Sequence, residues 1–173
     1  NVYENIRLGI TDAKANRDAE YCAKRVPECL ALVNLASDVA EKYPAQLSGG
    51  MRKRVGIARA IAGRPKYLLY DEPTSGLDPV NADIIDSLVK HLADTLGVTS
   101  VMVTHDVRGA FRVSDRVALL SDGKIVLQGT PQEYAVVLGW SRFPNTVMKL
   151  SSLPEKGQYP HRDVGPVIEE LTE

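Results

Sequence analysis

The chain has 173 residues, a net charge of −1, 44% hydrophobic residues and 25% charged ones. That length makes one domain or part of one, long enough to bury a core, and the near-neutral charge gives no field to steer the chain onto nucleic acid or an anionic membrane. No apolar run approaches the ~18 residues of a bilayer-spanning helix. No signal peptide opens at Asn1 either, and the missing initiator Met reads as an internal start.

Cys22 and Cys29 stand seven residues apart in a helical stretch, a spacing that suits neither metal ligands nor a redox pair. They read as small core residues of a reducing compartment. His91, His105 and His161 are scattered, which argues against a zinc cluster.

From about Thr11 to Leu35 the pattern is helical, and Val26-Pro27 is expected to break it in two, with Pro27 opening the second piece. Leu30, Val33 and Leu35 continue one apolar face, and Tyr43-Pro44 marks a loop. Ser48 has the character of an N-cap. Met51 to Ala62 reads as a helix with Val55, Ala58, Ile61 and Ala62 on one side, stopped by Gly63-Arg64-Pro65. Tyr67 to Tyr70 is a short continuous apolar run, as expected of a strand buried on both faces.

After a loop over residues 73–79, Ile84, Ile85, Leu88, Val89, Leu92 and Leu96 fall at helical spacing up to Gly97. Thr99 to Val103 is a second apolar strand, and a short helix follows His105. Val117–Leu120 and Lys124–Leu127 flank Ser121-Asp122-Gly123, a hairpin signal, and Thr130-Pro131 opens a further helix. Strands alternating with helices indicate an α/β fold with a parallel sheet. Past Leu138 the chain carries Pro144, Pro154, Pro160 and Pro166 with little periodicity, and reads as an extension with one or two short helices.

Ser48-Gly49-Gly50 opens a helix, where free amides and the positive end of the helix dipole point outward. Glycines let a phosphate approach the backbone, and Ser48 adds a hydroxyl. Arg52, Lys53 and Arg54 oppose the dipole, which makes electrostatic sense beside phosphate or an acidic neighbour. An ordinary capped helix with a solvated basic face fits the same residues. The Tyr67–Tyr70 run delivers Asp71 and Glu72 at its C-terminal end, where open α/β sheets bind ligands. The first carboxylate can hold Mg²⁺ and the second can orient a water, although an acidic turn is the plainer alternative. Ser75-Gly76-Leu77-Asp78-Pro79 is a tight loop in which Asp78 or Pro79 can simply start the next helix. His105 follows the second apolar strand, so it lands on the same sheet edge as Asp71 and Glu72 and can meet a γ-phosphate or hold a water.

In this order the motifs resemble the nucleotide-binding domain of ABC-type ATPases over about Asn1 to Leu138. Leu47-Ser48-Gly49-Gly50-Met51 resembles the signature LSGGQ with Met51 in place of Gln, and YLLYDEP resembles Walker B followed by the catalytic Glu. SGLD resembles the D-loop and His105 the switch histidine. NVYENI resembles the segment after the Q-loop. The resemblance implies a P-loop NTPase (RecA-like) core with a parallel sheet, incomplete at its N-terminus. It places a helical signature subdomain over about 10–63, a Walker B to switch-histidine core over about 64–138, and an extension over 139–173.

It further implies ATP and Mg²⁺ as substrate and cofactor. Asp71 supports the metal, Glu72 acts on the water and His105 senses the γ-phosphate. Ser48, Gly49, Gly50 and Met51 reach the ATP of a second ATPase subunit, with Asp78 at the seam. Transmembrane permease subunits would supply the only membrane contact, from the cytoplasmic side of the inner membrane, with no nucleic-acid partner. Within the family, Met51 and the following Arg-Lys-Arg look most like the ATPases of Mla/Mce-type lipid transporters. Two other functions fit the same motifs: a soluble ABC ATPase of repair or ribosome function, and a non-catalytic interaction module.

The sequence contains no G-x-x-x-x-G-K-[ST], and the adenine-stacking residue and Q-loop Gln are missing too. The chain therefore reads as the C-terminal part of an ATPase, expected to be inactive in isolation, since phosphates and Mg²⁺ need the P-loop backbone, Lys and hydroxyl.

Overall fold

The structure, a computed structural model, describes residues 1–121, 123–135 and 147–151. They fall into two compact units: Asn1–Leu68 with Pro73–Val98, and Leu69–Glu72 with the described residues from Thr99 onward.

The first unit is helical. Helix α1 (Val2–Arg7) is capped by Asn1, whose side chain accepts from the Glu4 amide. Helices α2 (Ala13–Arg17) and α3 (Ala19–Leu32) follow, then two 3₁₀ turns over Ser37–Glu41 and Pro44–Gln46. Helix α4 (Gly49–Ala62) and helix α5 (Pro79–Leu96) complete it. Val2 and Ile6 of α1, Val26, Cys29 and Leu30 of α3, and Val55, Ala58 and Ile61 of α4 are all buried, so three amphipathic faces share one core. Cys22 and Cys29 are free and buried, as their spacing suggests.

The break in the first helical stretch lies at Asp18, not at Val26-Pro27. The Asp18 carboxylate accepts from the Glu20 and Tyr21 amides and so starts a new helix. Pro27 sits inside α3 on its exposed face. On that face the ring meets solvent, while Val26, Cys29 and Leu30 hold the other face in the core. Helix α5 buries Ile85, Leu88, Val89 and Leu92, as its periodicity requires, and also buries Asp86, which periodicity does not foretell. Gly97 ends it in the left-handed conformation (φ 62°), its amide donating to the Ala93 carbonyl.

The second unit is a sheet with short helices. Strand β1 (Tyr67–Asp71) contributes its last three residues here, beside β2 (Thr99–Thr104). Helix α6 (Val107–Val113), strands β3 (Val117–Ser121) and β4 (Lys124–Gly129), helix α7 (Pro131–Ala135) and strand β5 (Val147–Ser151) follow. The strand order is β1-β2-β5-β3-β4. Strand β5 runs antiparallel to both neighbours, with Val101 opposite Ser151 in β2 and Val117 opposite Leu150 in β3. Strands β2 and β3 therefore point the same way. The β3–β4 hairpin is antiparallel, with an irregularity between Leu119 and Leu120. Thr130 opens α7 through a reciprocal capping box with Glu133.

Two expectations change here. Strand β1 is buried on one face only: Leu68 and Tyr70 point in, while Tyr67 and Leu69 are 69% and 80% exposed. A continuous apolar run does not distinguish a strand buried on both faces from one with an apolar outer row. Past Leu138, residues 147–151 form a strand rather than helix, because pairing on both edges supplies the backbone partners that weak local periodicity does not specify. The rest of the expected extension, and its helices, lie outside the described residues.

Candidate functional site

Two clusters carry the residues singled out in the sequence, one in each unit.

In the helical unit, Ser48 is the N-cap of α4, its hydroxyl oxygen accepting from the Met51 amide at 3.2 Å. That bond leaves the hydroxyl proton able to donate outward. The Gly49 and Gly50 amides occupy the first positions of α4, outside the intrahelical ladder, at the positive end of its dipole. Met51 is half-buried. A groove of about 350 Å³ runs along this end, lined by Gly49, Arg52, Lys53 and Gly56 of α4 and by Ser75, Gly76 and Leu77 of the loop before α5.

Two of the basic side chains are engaged within the chain. Arg52 donates to the Leu47 carbonyl at 2.7 Å, and Arg54 to the Asn34 carbonyl at 2.8 Å. Their charge, unfavourable to the dipole, is offset by backbone acceptors. Asp78 is the N-cap of α5, with Pro79 in the first turn. Its carboxylate accepts the Asn81 amide at 3.1 Å and the Asn81 side-chain amide at 2.6 Å. The two Asn81 bonds hold the Asp78 carboxyl below its ordinary range.

At the far end of α4, Arg25 of α3 is 6% exposed. Its guanidinium donates to the Ile61 carbonyl at 2.7 Å, the Ala62 carbonyl at 3.1 Å and the Glu28 carboxylate at 3.2 Å. A cation thus closes the negative end of the same helix whose positive end carries Ser48 to Gly50.

In the sheet unit, Asp71 is the exposed last residue of β1, on the same side as Leu69. Glu72 follows with a left-handed backbone (φ 46°), its amide donating to the Val103 carbonyl at 2.9 Å. Its carboxylate is held by one residue at both oxygens: Oε1 accepts the His105 amide at 3.1 Å, and Oε2 lies 2.8 Å from His105 Nδ1. The hydrogen bond to Glu72, then its charge, raises the His105 pKa above the ordinary histidine value. Asp106 caps α6 through the Arg108 and Gly109 amides, which fixes the chain just past His105. Behind the edge, Tyr70 is buried against Ser100, and burial pushes its hydroxyl up to about 12, so it stays neutral.

The structure thus brings Glu72 and His105 together. Separately, it bonds Asp78 to Asn81, whose Oδ1 lies close to the start of α4, 2.8 Å from where a Gly50 Cβ would stand. Sequence reasoning missed two residues. Asn81 belongs to no sequence motif, and its bonds to the cap Asp78 appear only in the structure. Arg25 had no local signal, since its backbone acceptors lie 36 and 37 residues away.

A family model for the ABC transporter matches residues 1–75. The probable amino-acid ABC transporter ATP-binding protein y4tH of Sinorhizobium fredii is 47% identical over 126 residues, 73% of this chain and 46% of that protein. The methionine import ATP-binding protein MetN of Carboxydothermus hydrogenoformans is 45% identical over 141 residues, 79% of this chain and 41% of that protein. Among solved structures, the dimeric ATP-binding cassette MJ0796 in a post-hydrolysis state bound to ADP and Pi superposes with a TM-score of 0.65 at 37% identity. It covers 75% of this chain and 56% of its own.

The chain spans less than half the length of these two curated relatives. Their names speak of amino acids and methionine, so they lend no support to the lipid transporters that Met51 and Arg-Lys-Arg suggested. The chain thus has the α/β P-loop NTPase fold of an ABC ATPase, as part of a cassette, and is similar in sequence to ABC transporter ATP-binding proteins.

Proposed function

We propose that the chain belongs to the ATP-hydrolysing subunit of an ABC transporter, and that it works within a longer polypeptide that supplies the P-loop. The observation that carries this reading is the Glu72 carboxylate, set at the end of β1 and gripped at both oxygens by His105. A carboxylate there can orient and polarise a water against a γ-phosphate, help typically worth about 10²–10⁴ in rate. His105, on the same strand edge, can bond the phosphate itself.

Asp71 fits Mg²⁺, being one exposed hard oxygen donor of the kind that metal takes together with water and substrate phosphates. When bound, Mg²⁺ supplies charge neutralisation on the transferred phosphoryl group. Ser48, Gly49 and Gly50 offer a hydroxyl and helix-end amides to the ATP held by a second copy, and Asp78 lies at that seam. Met51 acts through its backbone, where its amide completes the cap. Opening and closing of the pair drives a transmembrane permease from the cytoplasmic face, and this subunit touches the membrane only through it. The cargo belongs to the small-solute class named for the relatives, amino acids among them, rather than to lipids.

The test uses the complete polypeptide with its permease in proteoliposomes. Glu72→Gln is expected to retain MgATP binding and to lose hydrolysis by at least about a hundredfold, the lower end of general-base contributions. Turnover within a few-fold of the unsubstituted protein removes Glu72 from this role.

A further inference from the structure

Four segments meet at one point of the helical unit: the cap Ser48, the glycines of α4, the loop ending in Asp78 and the first turn of α5. The residue at their centre is Asn81, half-buried, and no motif of the sequence singles it out. Its side-chain nitrogen donates to Asp78 Oδ2 at 2.6 Å, while its backbone amide donates to Asp78 Oδ1 at 3.1 Å. Its side-chain oxygen faces the other way, against α4. A Cβ on Gly50 would lie 2.8 Å from that oxygen, 3.3 Å from Asn81 Cγ and 3.7 Å from Asn81 Cβ.

The same amide therefore grips the Asp78 loop with one end and sets the closest approach of the Ser-Gly-Gly turn with the other. Gly49 adds a second contact between these segments, since its Cβ would meet Leu77 at an ordinary 3.5 Å. Only the Gly50 contact is too tight for a side chain, and it is tight because of Asn81 atoms beyond Cβ.

We infer that Asn81 is a positioning residue for ATP hydrolysis, a spacer that fixes how far the Ser48-Gly49-Gly50 turn stands from Asp78. This rests on the transporter reading, in which both segments face the nucleotide of a second copy. Asn81 itself touches no nucleotide. A carboxylate in its place would set charge against Asp78, and a shorter side chain would let the turn and the loop drift together.

The test is a double-mutant cycle in the complete polypeptide, using Gly50→Ala, Asn81→Ala and the pair, with MgATP as the probe. Steady-state kcat and KM, nucleotide binding and thermal midpoint are read for each. Asn81→Ala is expected to lower kcat about tenfold, within the range of coupling between residues in contact, with nucleotide affinity unchanged. Gly50→Ala is expected to lower both kcat and thermal midpoint. In the Asn81→Ala background its further cost vanishes, because only the ordinary 3.7 Å contact to Cβ remains.

Equal costs of Gly50→Ala in both backgrounds overturn the inference, as does an Asn81→Ala protein with unchanged kcat. If the unsubstituted protein does not hydrolyse MgATP, the transporter reading falls. The thermal midpoints then decide alone whether Asn81 spaces the two segments.

Discussion

Replacing Arg25 with Met is expected to loosen α4 from its far end. The side chain is 6% exposed, and its guanidinium reaches two carbonyls of the last turn of α4, at 2.7 and 3.1 Å. A hydrogen bond from a charged donor contributes about 1.5–3 kcal/mol. Two at the lower bound give about 3 kcal/mol, and a cation at a helix C-terminus adds about 0.3–1 kcal/mol. The Glu28 pair contributes little, because its carboxylate side chain is 55% exposed. Met keeps most of the apolar stem, so the loss isolates the bonds from the packing.

The expected local destabilisation is about 3–4 kcal/mol, which lowers the hydrogen-exchange protection of α4 amides by roughly a hundredfold or more. Native-state exchange read by mass spectrometry on peptides covering 49–62 measures this without assuming that the whole protein unfolds in one step. Arg25→Lys keeps the charge but not the planar fork, so it is expected to fall between the two. Protection in Arg25→Met within about threefold of the unsubstituted protein, less than 1 kcal/mol, refutes the argument that these bonds hold the helix.

Two further outcomes follow from the geometry. The His105 imidazole, titrated by NMR, is expected to ionise above the ordinary value of about 6.5 and to move down in Glu72→Gln. Since the folded pKa is raised, the stabilisation from the pair is fully present below about pH 6.5 and disappears as pH climbs through the raised value. A His105 titration indifferent to Glu72→Gln contradicts the pairing. At the end of α5, Gly97→Ala forces a Cβ into the left-handed region and is expected to cost about 1–2 kcal/mol in chemical denaturation, against less for Gly97→Asn. Equal costs for the two substitutions remove backbone conformation as the cause.

The sequence-readable part of this protein is what local chemistry decides. Ser48, Asp78 and Gly97 each act within three or four residues of their own position, and each stands where cap preferences put it. The helical face of Val55, Ala58, Ile61 and Ala62 is buried for the same reason. Long-range partners are what the sequence concealed. Pro27 looked like a boundary because local propensity disfavours it within a helix, yet the core contacts of Val26, Cys29 and Leu30 carry α3 straight through it. Arg25 looked like one more charged residue, and only the approach of α3 to α4 gives it acceptors. The outer row of β1, Tyr67 and Leu69, has the same composition as its buried row, so no pattern within five residues separates them. The placement of Asp71, Glu72 and His105 by strand ends was readable, but the grip of one His105 residue on both Glu72 oxygens was not, because it depends on the Glu72 backbone turning left-handed.

That turn has a consequence for anyone selecting hardier forms of this protein. A non-glycine residue at φ 46° holds a conformation worth about 1–2 kcal/mol less than its usual one. Glycine or asparagine at position 72 relaxes it, so screens for heat resistance will tend to replace the very carboxylate on which hydrolysis is proposed to depend. Thermal robustness and turnover are set against each other at a single residue, and a library that ignores this will fill with well-folded proteins that do not cycle.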